Sequence, residues 1–175
     1  MFSSWAYILI GNNNTGKTSF QRNVVAEFCN EHYTRLPRNV VKTITHPRAP
    51  RKLATVFTCN RSYQEKLDEY KSVENYFNHF FQDADICFLS SHTHGDSCKH
   101  VEEMIHQLKL RCYNVAGIFW SNGFDADAQA ISALPWQERL WVENPLLENT
   151  SEVPAQLVRV TREFTELLLE RSHAQ

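Results

Sequence analysis

Short apolar runs alternate along this chain with segments in which apolar residues recur at three- and four-residue steps. The short runs are typical of strands, because they are rich in β-branched and aromatic residues. They cover residues 5–10, 40–45, 53–59, 85–91, 115–120 and 139–142. The helical segments contain the stripe Phe20, Val24 and Phe28, residues 62–82, the stripe Val101, Met104, Ile105 and Leu108, residues 125–133, and residues 152–171.

This alternation predicts an α/β fold: a mainly parallel sheet in three layers, with helices on both faces. Right-handed crossovers place the carboxyl ends of parallel strands on one edge of such a sheet. The length of 175 residues suits one domain, and we expect it to span 1–175. Apolar and aromatic residues of 62–82 recur at three- and four-residue steps, which predicts a single long helix whose aromatic stripe packs on the core.

A glycine-rich loop lies between the first strand and the first helix. Residues 11–18 read G-N-N-N-T-G-K-T, which is the pattern G-x-x-x-x-G-K-[ST]. The two glycines let the backbone curl so that its N–H groups face an anion, and the following helix points its positive N-terminus at the same place. Lys17 is placed to reach the outer phosphates of a nucleoside triphosphate, and the Thr18 hydroxyl to reach Mg²⁺.

On these residues and their flanks the chain resembles the P-loop NTPases, whose loop is called the Walker A motif. The resemblance implies the P-loop NTPase fold, binding of ATP or GTP with Mg²⁺, and hydrolase or phosphotransferase chemistry. Lys17 is implied as a catalytic residue and Thr18 as the metal-binding one. The nucleotide-binding residues implied in the loop are Gly11, Asn12, Asn13, Asn14, Thr15, Gly16, Lys17, Thr18 and, in a weaker position, Ser19.

Residues 84–125 carry a second resemblance, to dethiobiotin synthetase and related partition-type ATPases. The similarity lies in the order strand, small-residue turn, helix, strand and Ser-Asn, and it implies that Asn122 contacts the nucleotide base. A turn-forming Asn-Gly is the alternative. Asn12 stands where partition-type ATPases carry an extra lysine, which argues against lysine-dependent activation by a dimer. Residues 122–125 also resemble the N-K-x-D pattern of translational GTPases, in which Asp125 would accept a hydrogen bond from guanine. The lysine of that pattern is absent here, so adenine is favoured.

No sequence motif identifies the acidic residue that a catalytic site of this kind would need. Many P-loop enzymes end a buried strand with an Asp that holds Mg²⁺ through water. Here the strand 85–91 is followed by His92. Asp96 is the preferred candidate over Asp83 and Asp85, because it follows the carboxyl end of that strand.

The segment 92–100 also allows a zinc site. Its start resembles the H-x-H-x-D-H signature of metallo-β-lactamase-type hydrolases, except that Ser97 replaces the last histidine. Metal ligands alternate with other residues in this segment, which suits coordination chemistry. The potential ligands are His92, His94, Asp96, Cys98 and His100. The other interpretation is a polar loop above the phosphate site.

Composition and charge restrict the cellular location and the partners that we expect. The net charge is −2, so the chain as a whole has no bias toward nucleic acid or membranes. Five cysteines without close pairs, a short N-terminal apolar run and no span of about 20 apolar residues predict a cytoplasmic protein that does not bind membranes. One stretch of the chain concentrates basic residues, which fits either a solvated surface or the binding of an anionic substrate or nucleic acid. It comprises Arg35, Arg38, Arg48, Arg51 and Lys52.

Three functions follow from these observations. The first is a regulatory ATPase whose nucleotide state controls a protein partner or a homodimer. The second is a small-molecule kinase or ligase, and the third is a nucleotide-binding module with little turnover. Whether the terminal phosphate is hydrolysed or transferred to an acceptor, Lys17 and the loop N–H groups are expected to stabilise the charge that develops on the phosphoryl oxygens.

Overall fold

Six strands form a single sheet in the computed structural model, which describes residues 4–174. The strands are β1 (Trp5–Ile10), β2 (Val40–Thr43), β3 (Thr55–Ser62), β4 (Ile86–Ser91), β5 (Asn114–Trp120) and β6 (Glu138–Val142). Their order across the sheet is β2-β3-β4-β1-β5-β6. All neighbouring pairs are parallel except β2 and β3, which are antiparallel. The predicted mainly parallel sheet is therefore confirmed.

Helices cover both faces of this sheet. They are α1 (Lys17–Cys29), α2 (Leu67–Tyr70), α3 (Val73–His79), α4 (Ser97–Leu110), α5 (Ala126–Ser132) and α6 (Val153–Ala174). Successive residues of a strand point to opposite faces, so β1 contributes to two cores. Tyr7 and Leu9 pack with α1 and α6, whereas Ala6, Ile8 and Ile10 pack with α3, α4 and α5. This arrangement is the expected three-layer α/β sandwich.

The long helix predicted over 62–82 is wrong. The chain instead forms a 3-10 turn at Tyr63–Lys66 and the two short helices α2 and α3. Lys71 takes a positive φ of 64°, which a helix cannot accommodate. The Ser72 hydroxyl then accepts a 3.0 Å hydrogen bond from the Asn75 N–H and starts α3. Four of the six aromatic side chains in 62–82 are nevertheless buried, and Phe80 and Phe81 are partly buried against the same core, so their assignment to the core is confirmed.

The reversal of β2 separates the basic residues predicted to act together. The loop from β2 to β3 lies at the edge where the parallel strands begin, because the N–H groups of Thr45 and His46 donate to the carbonyl of Phe28 near the end of α1. Arg48, Arg51 and Lys52 are in this loop, at the opposite edge from residues 11–18. Arg48 also pairs with Glu166 at 2.7 Å.

Arg35 and Arg38 precede β2 and therefore lie on the edge that carries residues 11–18. The predicted basic concentration is thus divided between the two edges of the sheet. Between residues 4 and 174, no helix is both long and apolar enough to cross a membrane.

Candidate functional site

Residues 11–18, called here the 11–18 loop, connect β1 to α1 at the carboxyl edge of the sheet. The Gly11 N–H donates to the Ser91 carbonyl at 3.1 Å, which ties the start of the loop to β4. Gly16 has a φ of +104°, a conformation that other residues rarely adopt. A Cβ there would also lie 2.8 Å from Leu157 Cδ2 on α6. Glycine is therefore required where the loop turns into the helix.

The loop opens a cleft at the N-terminus of α1. Gly16 is the N-cap and offers no side-chain oxygen, and the first turn of α1 contains no acidic residue. The N–H groups of residues 13–16 have no acceptor in the described part of the chain. The cleft has a volume of about 190 Å³ and is lined by residues 13–19 together with Asn60, Ser62 and Glu65. Unpaired N–H groups at a helix N-terminus suit an anion.

Lys17 lies buried at the base of this cleft. Its ammonium donates to the carbonyl of Gly11, to the carbonyl of Asn12 at 2.8 Å, and to Thr15 Oγ1 at 3.4 Å. Burial lowers the pKa of Lys17 to about 8, and the charge of Glu65 opposes that shift. Near neutral pH the side chain is a poorly hydrated cation, which gains by contact with a negative ligand.

Oxygen atoms from other elements line the same cleft. The Thr18 hydroxyl donates to the Asn60 carbonyl at 3.1 Å, and the Ser19 hydroxyl accepts from Arg22 at 3.4 Å. Glu65, in the 3-10 turn after β3, brings the one carboxylate among the described residues that line the cleft. Burial raises the pKa of Glu65, but the hydrogen bonds from Arg61 and His92 outweigh this effect and bring the pKa below its ordinary value. This carboxylate is therefore ionised near neutral pH.

The segment after β4 packs against the 11–18 loop through Asn12. The Asn12 side-chain oxygen accepts from the Thr93 N–H at 3.1 Å and lies 3.0 Å from His94 Nδ1. His92 is buried, and its Nε2 lies 3.3 Å from Glu65 Oε1. Burial and the nearby charge of Lys17 lower the pKa of His92, so its imidazole is neutral near pH 7.

The five potential zinc ligands after β4 do not gather around one point. His100 packs its ring on Tyr63, with ring centroids 5.0 Å apart, and Asp96 lies 3.4 Å from Lys99. Cys98 packs against the hydrophobic core. From residue 4 to residue 174, no group of three or more His, Cys, Asp or Glu side chains is arranged to hold a metal ion.

The turns after β5 and β6 close the other side of the loop. A Cβ at Gly123 would lie 2.8 Å from Thr15 Cγ2, so this turn is in direct contact with the loop. Its neighbour Asn122 has a buried side-chain oxygen without a hydrogen-bond partner. Buried Asn144, after β6, donates from its side chain to the Thr15 carbonyl at 3.0 Å. Asp125 accepts from the Ala128 N–H at 2.8 Å and caps α5.

The fold thus brings the loop residues, Asn122 and the His92 segment to one place. It does not bring Asp96 to the cleft, since this side chain is 72% exposed and contacts Lys99. Sequence reasoning missed Glu65, Asn60 and Asn144. A usable signal existed for the first two, because the polar run that starts at Asn60 follows a strand whose end lies on the loop's edge.

Comparison with protein-family models, curated proteins and solved structures gives no match for this chain. The function proposed below therefore rests on the geometry of the cleft at the 11–18 loop.

Proposed function

We propose that the chain binds a nucleoside triphosphate with Mg²⁺ at the 11–18 loop and cleaves its terminal phosphoanhydride bond. The observation that supports this most is the convergence of the Lys17 ammonium with the unpaired N–H groups at the start of α1. Together they form a pocket of donors with one buried cation, which matches the charge of a polyphosphate chain. This is the arrangement expected for the P-loop NTPase fold.

The oxygen donors of the cleft fit a magnesium ion. The Thr18 hydroxyl and the Glu65 carboxylate both line it, and Mg²⁺ prefers a few protein oxygens together with phosphate oxygens. When bound, the ion would neutralise charge on the phosphate oxygens. Lys17 would leave its contacts with Gly11 and Asn12 for the outer phosphates and stabilise the negative charge that develops there.

Asn122 is the residue proposed to contact the base, for which adenine is preferred. Its buried and unpaired side-chain oxygen is an acceptor, which suits an exocyclic amino group of a purine. Glu65 replaces Asp96 as the preferred catalytic acid in this proposal, because it lines the cleft and Asp96 does not. Glu65 would orient the attacking water or hydroxyl, or hold the metal. Regulation by a protein partner or by a homodimer stays a prediction.

Isothermal titration calorimetry with the magnesium complex of a non-hydrolysable ATP analogue tests the proposal. Wild-type protein should bind at one site per chain, and Lys17→Ala should weaken binding by about 100-fold or more, because a buried charged contact to phosphate is lost. Lys99→Ala, which removes an exposed cation outside the cleft, is the matched control. Equal affinity of wild-type and Lys17→Ala protein would refute the assignment of Lys17.

A further inference from the structure

A second cavity adjoins the cleft and is lined by cations. We call it the basic pocket; it is lined by Arg35, Leu36, Pro37, Arg38, Asn60, Arg61 and Lys66. Asn60 lines both cavities, and its carbonyl accepts the hydrogen bond from Thr18 in the cleft. A ligand in the basic pocket would therefore lie beside whatever occupies the 11–18 loop.

The charges of the basic pocket do not cancel. Arg38 and Lys66 share Glu69, at 2.8 and 3.6 Å, and Arg61 pairs with Glu65 at 3.0 Å. Arg35 forms no ion pair with any residue that the structure describes. Four cations thus share two carboxylates, which leaves an excess of positive charge at a concave surface.

The backbone that carries Arg35 and Arg38 is fixed in place. The Asn60 side chain donates to the Leu36 carbonyl at 2.8 Å, which ties the segment to the end of β3. On the other side, Asn39 accepts from Tyr76 at 3.2 Å through its side chain and from Gln82 at 3.0 Å through its carbonyl. A fixed backbone lowers the entropy lost when its side chains grip a ligand.

We propose that the basic pocket binds the phosphate or carboxylate group of a second, small-molecule ligand. Its volume of about 300 Å³ is at the lower end for small-molecule sites. A nucleic acid would need a basic surface extending over several phosphates. Here Arg48, Arg51 and Lys52 lie at the opposite edge of the sheet, Lys42 in β2 is paired with Glu31 at 2.7 Å, and the net charge of the whole chain is −2. The role of this ligand as a second substrate rests on the proposed function.

Inorganic phosphate is the probe. It is titrated into protein that has been saturated with the magnesium complex of the non-hydrolysable ATP analogue, so that the 11–18 loop is filled. Arg35→Gln/Arg38→Gln should weaken phosphate binding by about tenfold or more, because charge-assisted hydrogen bonds are lost. Arg35→Lys/Arg38→Lys should restore part of the affinity, and Arg159→Gln on α6 should leave it unchanged. Absence of phosphate binding, or equal binding by the glutamine double variant, would overturn the proposal.

Lys17→Ala protein without nucleotide separates this inference from the proposed function. Phosphate binding that persists there, with the same dependence on Arg35 and Arg38, supports the basic pocket even if no nucleotide binds. If Lys17→Ala abolishes phosphate binding and substitution of Arg35 and Arg38 does not change it, the ion binds in the 11–18 loop and the inference is overturned. Tighter binding of a labelled oligothymidylate through the same arginines would overturn the small-molecule class.

Discussion

The side-chain amide of Asn144 donates a 3.0 Å hydrogen bond to the carbonyl oxygen of Thr15. The two residues are separated by most of the chain, and the bond joins the turn after β6 to the middle of the 11–18 loop. The Asn144 backbone N–H in turn donates to the Ser121 hydroxyl at 2.7 Å, in the turn after β5. The turn after β5 therefore holds Asn144 in place, and Asn144 in turn supports the loop.

Asn144→Ala should lower both stability and triphosphate affinity. The substitution leaves the buried Thr15 carbonyl without its partner, which costs about 1 to 3 kcal/mol in the free energy of unfolding. Urea denaturation monitored by fluorescence measures this change, and calorimetry with the ATP analogue measures the affinity. Asn78→Ala, which removes an exposed contact to Arg111 at 3.1 Å, is the matched control. Unchanged stability of Asn144→Ala would contradict the supporting role.

Triphosphate affinity should depend on pH through Lys17. Its pKa of about 8 means that the ammonium is present below that pH and is lost above it. Only the protonated form attracts phosphate, so affinity should be full below pH 8 and fall by up to about tenfold per pH unit above it. Calorimetry from about pH 6.5 to about pH 9.5 covers this window.

Lys17→Arg tests the origin of that pH dependence. A guanidinium stays protonated over the whole range, so this variant should show a flat profile above pH 8 even where its affinity is lower. A profile that falls equally in wild-type and Lys17→Arg protein would assign the titration to another group.

Glu65→Gln should slow phosphate release while nucleotide still binds. The change removes the carboxylate that faces Lys17 in the cleft, and loss of a catalytic acid or base costs about 100-fold or more in turnover. Steady-state phosphate release measures the effect, with Glu163→Gln on the exposed face of α6 as control. Asp96→Asn separates the two candidate carboxylates: a larger loss there than in Glu65→Gln would restore the assignment drawn from sequence.

Asn122→Ala should weaken ATP binding by about fivefold to tenfold, the value of one hydrogen bond to the base. Affinity for inorganic tripolyphosphate, which has no base, should stay the same. Parallel titrations with ATP, GTP and tripolyphosphate also reveal the preferred base. An equal loss for ATP and tripolyphosphate would show that Asn122 supports the loop and does not contact the base.

Local pattern was enough to predict the sheet and the position of the 11–18 loop. The central strands β4, β1 and β5 are short and strongly apolar, and the loop's glycines are needed for conformations such as the positive φ of Gly16. The prediction of one helix over 62–82 is wrong for a physical reason. The aromatic residues of this segment recur at helical steps, but Lys71 and Ser72 interrupt the backbone, and burial on the core produces the same spacing without a continuous helix.

The remaining parts of the site depend on contacts between distant segments. Glu65 enters the cleft because β3 ends beside β4 and the chain then turns toward Lys17. Asn144 reaches Thr15 because β6 pairs with β5 at the sheet edge. Asn144 has no motif of its own, so only the strand order reveals it, whereas the polar run from Asn60 already places Glu65 shortly after a strand. The antiparallel direction of β2 separates Arg48 from Arg35, which are close in sequence.

A crystal structure with magnesium and a non-hydrolysable ATP analogue tests the central claim most directly. The account predicts phosphates held by the N–H groups of residues 13–18, with the Lys17 ammonium moved from the Gly11 and Asn12 carbonyls to the outer phosphates. A triphosphate bound elsewhere, or a cleft that excludes it while Lys17 keeps its contacts within the loop, would contradict the account.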